Sequence, residues 1–394
     1  MKKLFSSTIF KLIIAVIIGI LLGFVANESF MNFVVTVKYI LGQLIFFMVP
    51  LIILGFVSYS IAKMKDNASK MLSLALIIAY LSSIGAAFFA MVSGYTLIPH
   101  LSIEPVKETL RQLPELIFRL DIPPVVSVMT ALVLAIMIGL ATVWTKSEVF
   151  ENLLDNFQKM VLLLINRILI PILPFFIAAN FCALSYEGAI TKQLPVFLGV
   201  MVIVIISQFV WLSFLDALAG AVSKKNPWQV LKYYGPAYLT AVGTMSSAAT
   251  LAVALKCAKK SPVLKDDVID FAVPLFSNIH LCGSILTEVF FVMTVSLMLY
   301  GSLPSLTVMI LFIFLLGIFA IGAPGVPGGT VIASLGIVIS ILGFDEAGTA
   351  LLLTIFALQD SFGTACNITG DGALTLIMTK ASCRRSSKPK KINS

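Results

Sequence analysis

Apolar runs of roughly 20 residues or more, the length a helix needs to cross a bilayer, recur along the chain at about 8–27, 32–62, 70–97, 126–145, 158–183, 194–222, 270–300, 306–343 and 347–379. None alternates with the two-residue period of a strand. Backbone groups in hydrocarbon must pair within a helix or a closed barrel, so the runs predict an all-helical polytopic membrane fold. Up to about residue 222 the runs are uniform and are interrupted by one polar segment, "EPVKETLRQLPELIFRLDIPP" (104–124), read as an extracellular loop or short helix without evident chemistry. From residue 224 onward small and polar residues break the apolar pattern, at "GTMSSAATLAVAL" (243–255) and "IGAPGVPGGTVIASL" (321–335), and each break precedes a further long run. Such interruptions free backbone N–H and C=O groups that lipid would leave unpaired, so they must be buried in protein or line an aqueous site. Two of them in corresponding positions point to an inverted-repeat transporter with its site near the midplane, between re-entrant tips.

Composition agrees with the pattern: of 394 residues 59% are hydrophobic and 12% charged, and the mean hydropathy is +1.05. A net charge of +8 would suit a nucleic-acid binder, but the Lys and Arg residues sit in short loops and at the ends, as positive-inside topology requires. Lys2, Lys3, Lys11, Lys63, Lys65, Lys70, Lys224, Lys225, Lys256, Lys259, Lys260, Lys265 and the "RRSSKPKK" tail all fit one cytoplasmic side, with both termini inside a plasma (inner) membrane and no nucleic-acid partner. The tail reads as a topology signal, with contact to anionic lipid as the alternative. No small-residue cleavage site follows the first run, which is therefore read as a retained helix. Cys182, Cys257, Cys282, Cys366 and Cys383 lack metal-type or CxxC spacing, which argues against a zinc site or a disulfide framework. With no GxxxxGK[ST] loop, energy for transport must come from gradients, and no organic cofactor is expected.

The last run carries the chemistry. Asp360, Thr364, Asn367 and Asp371 fall at i, i+4, i+7 and i+11 and share one helix face, a stripe about 16 Å long. Carboxylates at membrane depth cost several kcal/mol unless paired or hydrated, and mark substrate or ion pathways. An intramembrane aspartyl protease would need its two aspartates on facing helices, and a continuous channel would not need broken, gated segments. A second polar cluster, "PLFSNIHLCGSILTE", holds Ser277, Asn278, His280, Cys282, Ser284 and Glu288. His280 is either a neutral imidazole satisfied by a neighbour or a proton carrier. Glu288 either pairs with His280 or reaches the outer interface, and Cys282 reads as packing.

"SSAATL" (246–251) is similar to the serine-rich tip "SSSxTLP", "GAPGVPGG" (322–329) to "AGVPGAG", and "NITGD" (367–371) to "NxTGD". In this order these motifs resemble the dicarboxylate/amino-acid:cation symporter family, the glutamate transporter homologues. The resemblance implies eight transmembrane helices plus two re-entrant hairpins, a homotrimer, and an elevator-type mechanism with the second hairpin as gate. Its scaffold would comprise 1–68 (helices 1 and 2) and 126–190 (helices 4 and 5). Residues 69–125 would form helix 3, on the transport side, with the extracellular segment; 191–380 the transport domain of helix 6, hairpin 1, helix 7, hairpin 2 and helix 8; and 381–394 a basic tail. Asp360 falls where the family holds the substrate ammonium and Asn367 where it contacts substrate. Ser246 and Ser247, with tip amides around Gly325, Val326 and Gly328, fall where it holds the α-carboxylate; Gly363 and Thr364 complete the expected set.

Two departures redirect the expectation. Family members that carry acidic substrates have an arginine three residues after the aspartate, where this chain has Gly363, and Met245 precedes the serines without supplying a cation. Without a guanidinium to grip a second carboxylate, a neutral amino acid is the expected substrate, and Gly363 is expected to leave volume for its side chain. Where sodium-coupled members have "NMDGT", this chain has "HLCGS" (280–284), which puts imidazole and thiol in place of the oxygen ligands a hard cation prefers. An unpaired buried carboxylate takes up a proton rather than stay charged, so Asp371 and His280 are the expected proton carriers. Sodium-coupled symport of an amino acid or a dicarboxylate, with a residual sodium site at Asp371 and Asn367, and uncoupled amino-acid exchange stay open; a register slip would bring Asn278 to the ion site instead.

Overall fold

In the computed structural model, which describes residues 8–62, 70–101, 111–126, 128–188, 190–323 and 327–386, every regular element among the described residues is helical. The helices are α1 (Thr8–Val25), α2 (Glu28–Ala62), α3 (Lys70–Leu97), α4 (Val128–Thr145) and α5 (Glu148–Leu164), which runs through a π-helical turn (Ile165–Leu169) into α6 (Ile170–Tyr186). Then follow α7 (Ile190–Ser223), a short α8 (Trp228–Leu231), α9 (Gly235–Thr244), α10 (Ser247–Ala258), α11 (Asp266–Ile279), α12 (Cys282–Tyr300), α13 (Leu306–Gly322), α14 (Gly329–Leu342) and α15 (Glu346–Ser386). Six stretches among the described residues are long and apolar enough to cross a bilayer, while α1 and α4, 18 residues each, are the shortest of the expected spans. Lys2, Lys3, Lys63, Lys65, Gly325, Val326 and residues 387–394 of the tail lie outside the described residues.

Both sequence breaks fall at helix ends, and local chemistry accounts for each. α9 stops at Met245, whose φ of 53° is left-handed. Methionine rarely adopts that conformation; here its side chain is locked, 1% exposed, among Leu12, Ile177, Phe181 and Ala357. Ser246 is extended, and its hydroxyl accepts from the Ala249 amide at 3.3 Å, an N-cap for α10. At the second break Gly328 (φ 71°) starts α14. The helices on either side of each break pack against each other.

A third break contradicts the sequence reading of 270–300 as one continuous span: α11 ends at Ile279 and α12 begins at Cys282, with His280 and Leu281 non-helical between them. Of the two forms expected for the 104–124 segment, a loop or a short helix, its described part, from residue 111, is non-helical. It lies along α2, held by Asn32 Nδ2 donating to the Glu115 carbonyl (2.9 Å), the Ile117 amide donating to Thr36 Oγ1 (2.9 Å) and the Tyr39 hydroxyl donating to Asp121.

Burial locates the centre. The apolar windows of Asp266–Tyr300 and Glu346–Lys380 are 94% and 89% buried, against 33% to 50% for the other spans, so α11–α12 and α15 are sheathed by the rest. α3 and α7 pack on them, as does α9 on α15, while α1 packs on α6 and α2 on α4 and α5. Lipid tails are as apolar as leucine, so association in a bilayer depends on close packing and polar contacts. α12 and α15 have both: a Cβ on Gly283 would lie 2.5 Å from the Gly363 carbonyl oxygen and 2.9 Å from Cys366 Sγ, so the two backbones meet through glycine.

Candidate functional site

The polar face of α15 divides into three contacts. At its outer-numbered end both interrupted segments converge: Met245 packs with Ala357 and Leu358, a turn before Asp360, and the Gly328 amide donates to Asp360 Oδ2 at 2.6 Å. Asp360 is 3% exposed, and the Thr364 side chain also hydrogen-bonds it. The carboxylate therefore sits at the N-terminus of α14, where unpaired amides and the helix dipole favour an anion. Ser247 is buried and Ser246 half-buried in the neighbouring tip.

In the middle, Asn367 answers the break in the α11–α12 span. Its Oδ1 accepts from the Gly283 (2.7 Å) and Ser284 (3.2 Å) amides, two of the orphan donors at the start of α12, and its Nδ2 donates to Ser284 Oγ (2.9 Å). Asn367 is thus a helix cap supplied from another helix, with one amide hydrogen left for another partner. Asn367→Ala should cost about 2–3 kcal/mol, since it strands buried amides; thermal unfolding of the purified protein reads this directly, and a change under about 0.5 kcal/mol would deny Asn367 the capping role.

At the third contact His280, wholly buried, bridges two helices: its Nδ1 pairs with Asp371 Oδ1 at 2.9 Å and its Nε2 with Ser82 Oγ of α3 at 2.9 Å. Among the described residues Asp371 Oδ2 has no hydrogen-bond partner. The triad accommodates two proton counts. With Asp371 ionised, Nδ1–H donates to it, and Nε2 either accepts from the Ser82 hydroxyl or, when protonated, donates to the Ser82 oxygen. Gly370 permits the approach, because a Cβ there would lie 2.9 Å from His280 Cε1.

Several sequence-based expectations change. Asn278 is exposed, with its Nδ2 on the Pro274 carbonyl of its own helix (2.7 Å), so the register slip does not occur and Asn278 stays away from the pair. Gly363 does not open volume: a Cβ there would meet Ser284 Oγ at 3.2 Å and Ser284 Cα at 3.3 Å, so the glycine exists for helix contact. Glu288 neither pairs with His280 nor reaches an interface; it is fully buried and accepts a hydrogen bond from Ser334 of α14. Cys282 is buried against His280 and Cys366, consistent with packing. Ser82 was not legible as functional, being a serine in an apolar run, and neither was Gln208 of α7, whose Nε2 donates to Thr287 Oγ1 at 2.9 Å.

Helix ends turned inward onto a carboxylate at bilayer depth are equipment for moving a solute, and they define an integral membrane transport protein. Residues 8–381 match the sodium:dicarboxylate symporter family, and the chain belongs to that family of transporters. It is 27% identical over 259 residues to excitatory amino acid transporter 3 of Bos taurus (64% of this chain, 47% of that one). It is 25% identical over 224 residues to excitatory amino acid transporter 1 of Homo sapiens (57% and 40%), and 31% identical over 172 residues to excitatory amino acid transporter 3 of Mus musculus (43% and 32%). The matched regions thus span less than half the length of these three relatives.

Proposed function

We propose that the chain is a secondary active transporter of neutral amino acids, coupled to protons, in which α9–α10 and α13–α14 are re-entrant hairpins and the second gates the site. Asp360 binds the substrate ammonium. Donors of the two tips, Ser246, Ser247 and the amides around Gly325, Val326 and Gly328, hold the carboxylate, with Thr364 and Asn367 completing the pocket. The observation that carries the coupling ion is the sealed His280–Asp371 pair. An imidazole occupies Asp371 Oδ1 and Asn367 Oδ1 is already committed to two amides, so of the side-chain oxygens these two residues would offer a sodium ion only Asp371 Oδ2 is left. Glu288, whose second oxygen has no partner among the described residues, is a further buried acid on the face toward the gate. α1 packs chiefly on α6, and α2 on α4 and α5, with lesser contacts from α1, α2 and α4 to α13–α15, which supports a scaffold bearing on a moving transport domain. The assembly is a homotrimer in the plasma (inner) membrane with both termini cytoplasmic.

Uptake into proteoliposomes tests this reading, with labelled alanine, serine, leucine, glutamate, aspartate and lysine under an imposed proton gradient and, separately, a sodium gradient. Accumulation of a neutral amino acid driven by inward protons alone is the expected result. Sodium-driven accumulation of glutamate or aspartate would overturn both the substrate class and the coupling ion.

A further inference from the structure

α2, the 111–126 segment, α6 and the start of α15 enclose a cleft of about 390 Å³, within the size range of small-molecule sites, which favour the interfaces between packed units. Val35, Leu113, Leu116, Phe176 and Ala350 give it an apolar lining, and two side chains of opposite charge, Lys38 and Glu346, line it from different helices. Lys38 belongs to α2, ten residues after Glu28, about 15 Å along the axis. Glu346 is the first residue of α15, where the helix dipole favours negative charge.

Several neighbouring charges are committed elsewhere. Arg119 pairs with Asp121 at 3.5 Å, and the Arg111 guanidinium lies 3.7 Å from the centre of the Tyr186 ring. Asp345 Oδ1 accepts from the Tyr300 hydroxyl and the Gly348 amide, 2.8 Å each, and so caps α15. Lys38 and Glu346 differ: among the described residues the side chain of neither makes a hydrogen bond or an ion pair, with the other or with a third group. Glu346 and Glu187 are the acids that act on Lys38 through space, and Glu187 stands outside the cleft lining. Lys38 is half-buried, so its ammonium is partly stripped of water and gains from an anion in contact with it. An unpaired cation and an unpaired anion that line one cleft without touching, above an apolar floor, are the complement of a zwitterion with an apolar side chain.

We propose that this cleft is a second amino-acid site, in which Lys38 takes the carboxylate, Glu346 takes the ammonium, and an apolar side chain lies on Leu116, Phe176 and Ala350. It is separate from the Asp360 site, since Asp360 stands fourteen residues beyond Glu346 on α15, about 21 Å along the axis. It is also the weaker of the two, because Glu346 is exposed and water competes for its charge. A ligand there bridges α2 and α15, and so ties a helix of the proposed scaffold to one of the proposed transport domain. The site itself rests on the charges of the cleft and not on the transport reading.

Equilibrium binding of labelled leucine to the purified full-length protein tests the site, with Asp360→Asn as the background because that change silences the tighter class of binding. The background should keep one weakly bound leucine per chain, and adding Lys38→Gln or Glu346→Gln should weaken it by about tenfold or more. The charge-exchanged pair Lys38→Glu/Glu346→Lys should recover binding, because a zwitterion can turn round in the cleft, whereas a fold damaged by either single change would not recover. N-acetyl-leucine and leucinamide, which each lack one of the two charges, should fail to displace the label. No leucine bound in the Asp360→Asn background, or binding unchanged by both charge removals, overturns the proposal. So does displacement by N-acetyl-leucine as strong as by leucine, which would make Lys38 a plain anion site. If the unmutated protein and Asp360→Asn bind leucine alike and both lose it with Lys38→Gln, the substrate role of Asp360 fails while the second site stands.

Discussion

Asp360→Asn should remove amino-acid binding, weakening Kd about a thousandfold, or about 4 kcal/mol. The exchange is nearly isosteric, and the amide oxygen can still accept from the Gly328 amide that now donates to Oδ2 at 2.6 Å, so the tip of α14 keeps its anchor. What disappears is the negative charge, and with it the charge-assisted pairing that an ammonium group needs in a site 3% exposed, where water offers little compensation. Asp360→Ala loses the anchor as well and should also loosen the tip, seen as faster proteolysis near residues 323–328. Equilibrium binding of a labelled neutral amino acid to the purified protein measures the first effect. An affinity within fivefold of the unmutated protein would remove Asp360 from the substrate site.

The second large effect concerns the buried pair. His280→Gln and Asp371→Asn should each lower stability by about 3–5 kcal/mol, because each leaves its former partner enclosed without a counterpart. The double variant His280→Gln/Asp371→Asn should recover about 2 kcal/mol relative to the sum of the singles, since two neutral amides can hydrogen-bond each other across the same gap. The double variant should lose dependence of uptake on the proton gradient, because no group at this contact then exchanges a proton near neutral pH, whereas each single variant keeps one titratable group and should shift the pH dependence of uptake instead. Stability and coupling therefore part company in the double variant: the fold is partly rescued and the coupling is not. Additive stabilities would mean that the 2.9 Å contact between Nδ1 and Oδ1 carries no interaction energy. Proton-driven uptake surviving in the double variant would place the coupling site elsewhere, with Glu288 the next acid to replace.

The parts of this architecture legible in the sequence are those written in local chemistry. The serines at 246–247 and the Pro/Gly run ending at Gly328 announce helix ends, because capping and left-handed turns have strong residue preferences. The α15 stripe is legible because hydrocarbon excludes carboxylates. The break at His280–Leu281 is not legible because no proline or glycine stands at 279–282 to mark it, and apolar residues continue on both sides. Its cap, Asn367, lies more than 80 residues away in sequence. Ser82 is invisible for the same reason: its partner is 198 residues off, and two adjacent serines in "LSSIGAAFF" have no periodicity to single one out. The polar 104–124 segment looked inert because its hydrogen bonds run to side chains of α2 that read as ordinary residues of a spanning run.

The contact between Gly363 and Ser284 bears on how this protein's specificity can drift. A glycine codon lies one base change from an arginine codon, so the residue that would equip the site for a second carboxylate is mutationally near. It meets a tight contact, because a Cβ at 363 would stand 3.2 to 3.4 Å from Ser284 Oγ, Cα and N, on the helix whose start Asn367 caps. Acquiring that arginine asks Ser284 and the start of α12 to yield by a few tenths of an ångström. If the proposed preference for neutral amino acids holds, a change of substrate class is thereby tied to the packing of α12 on α15.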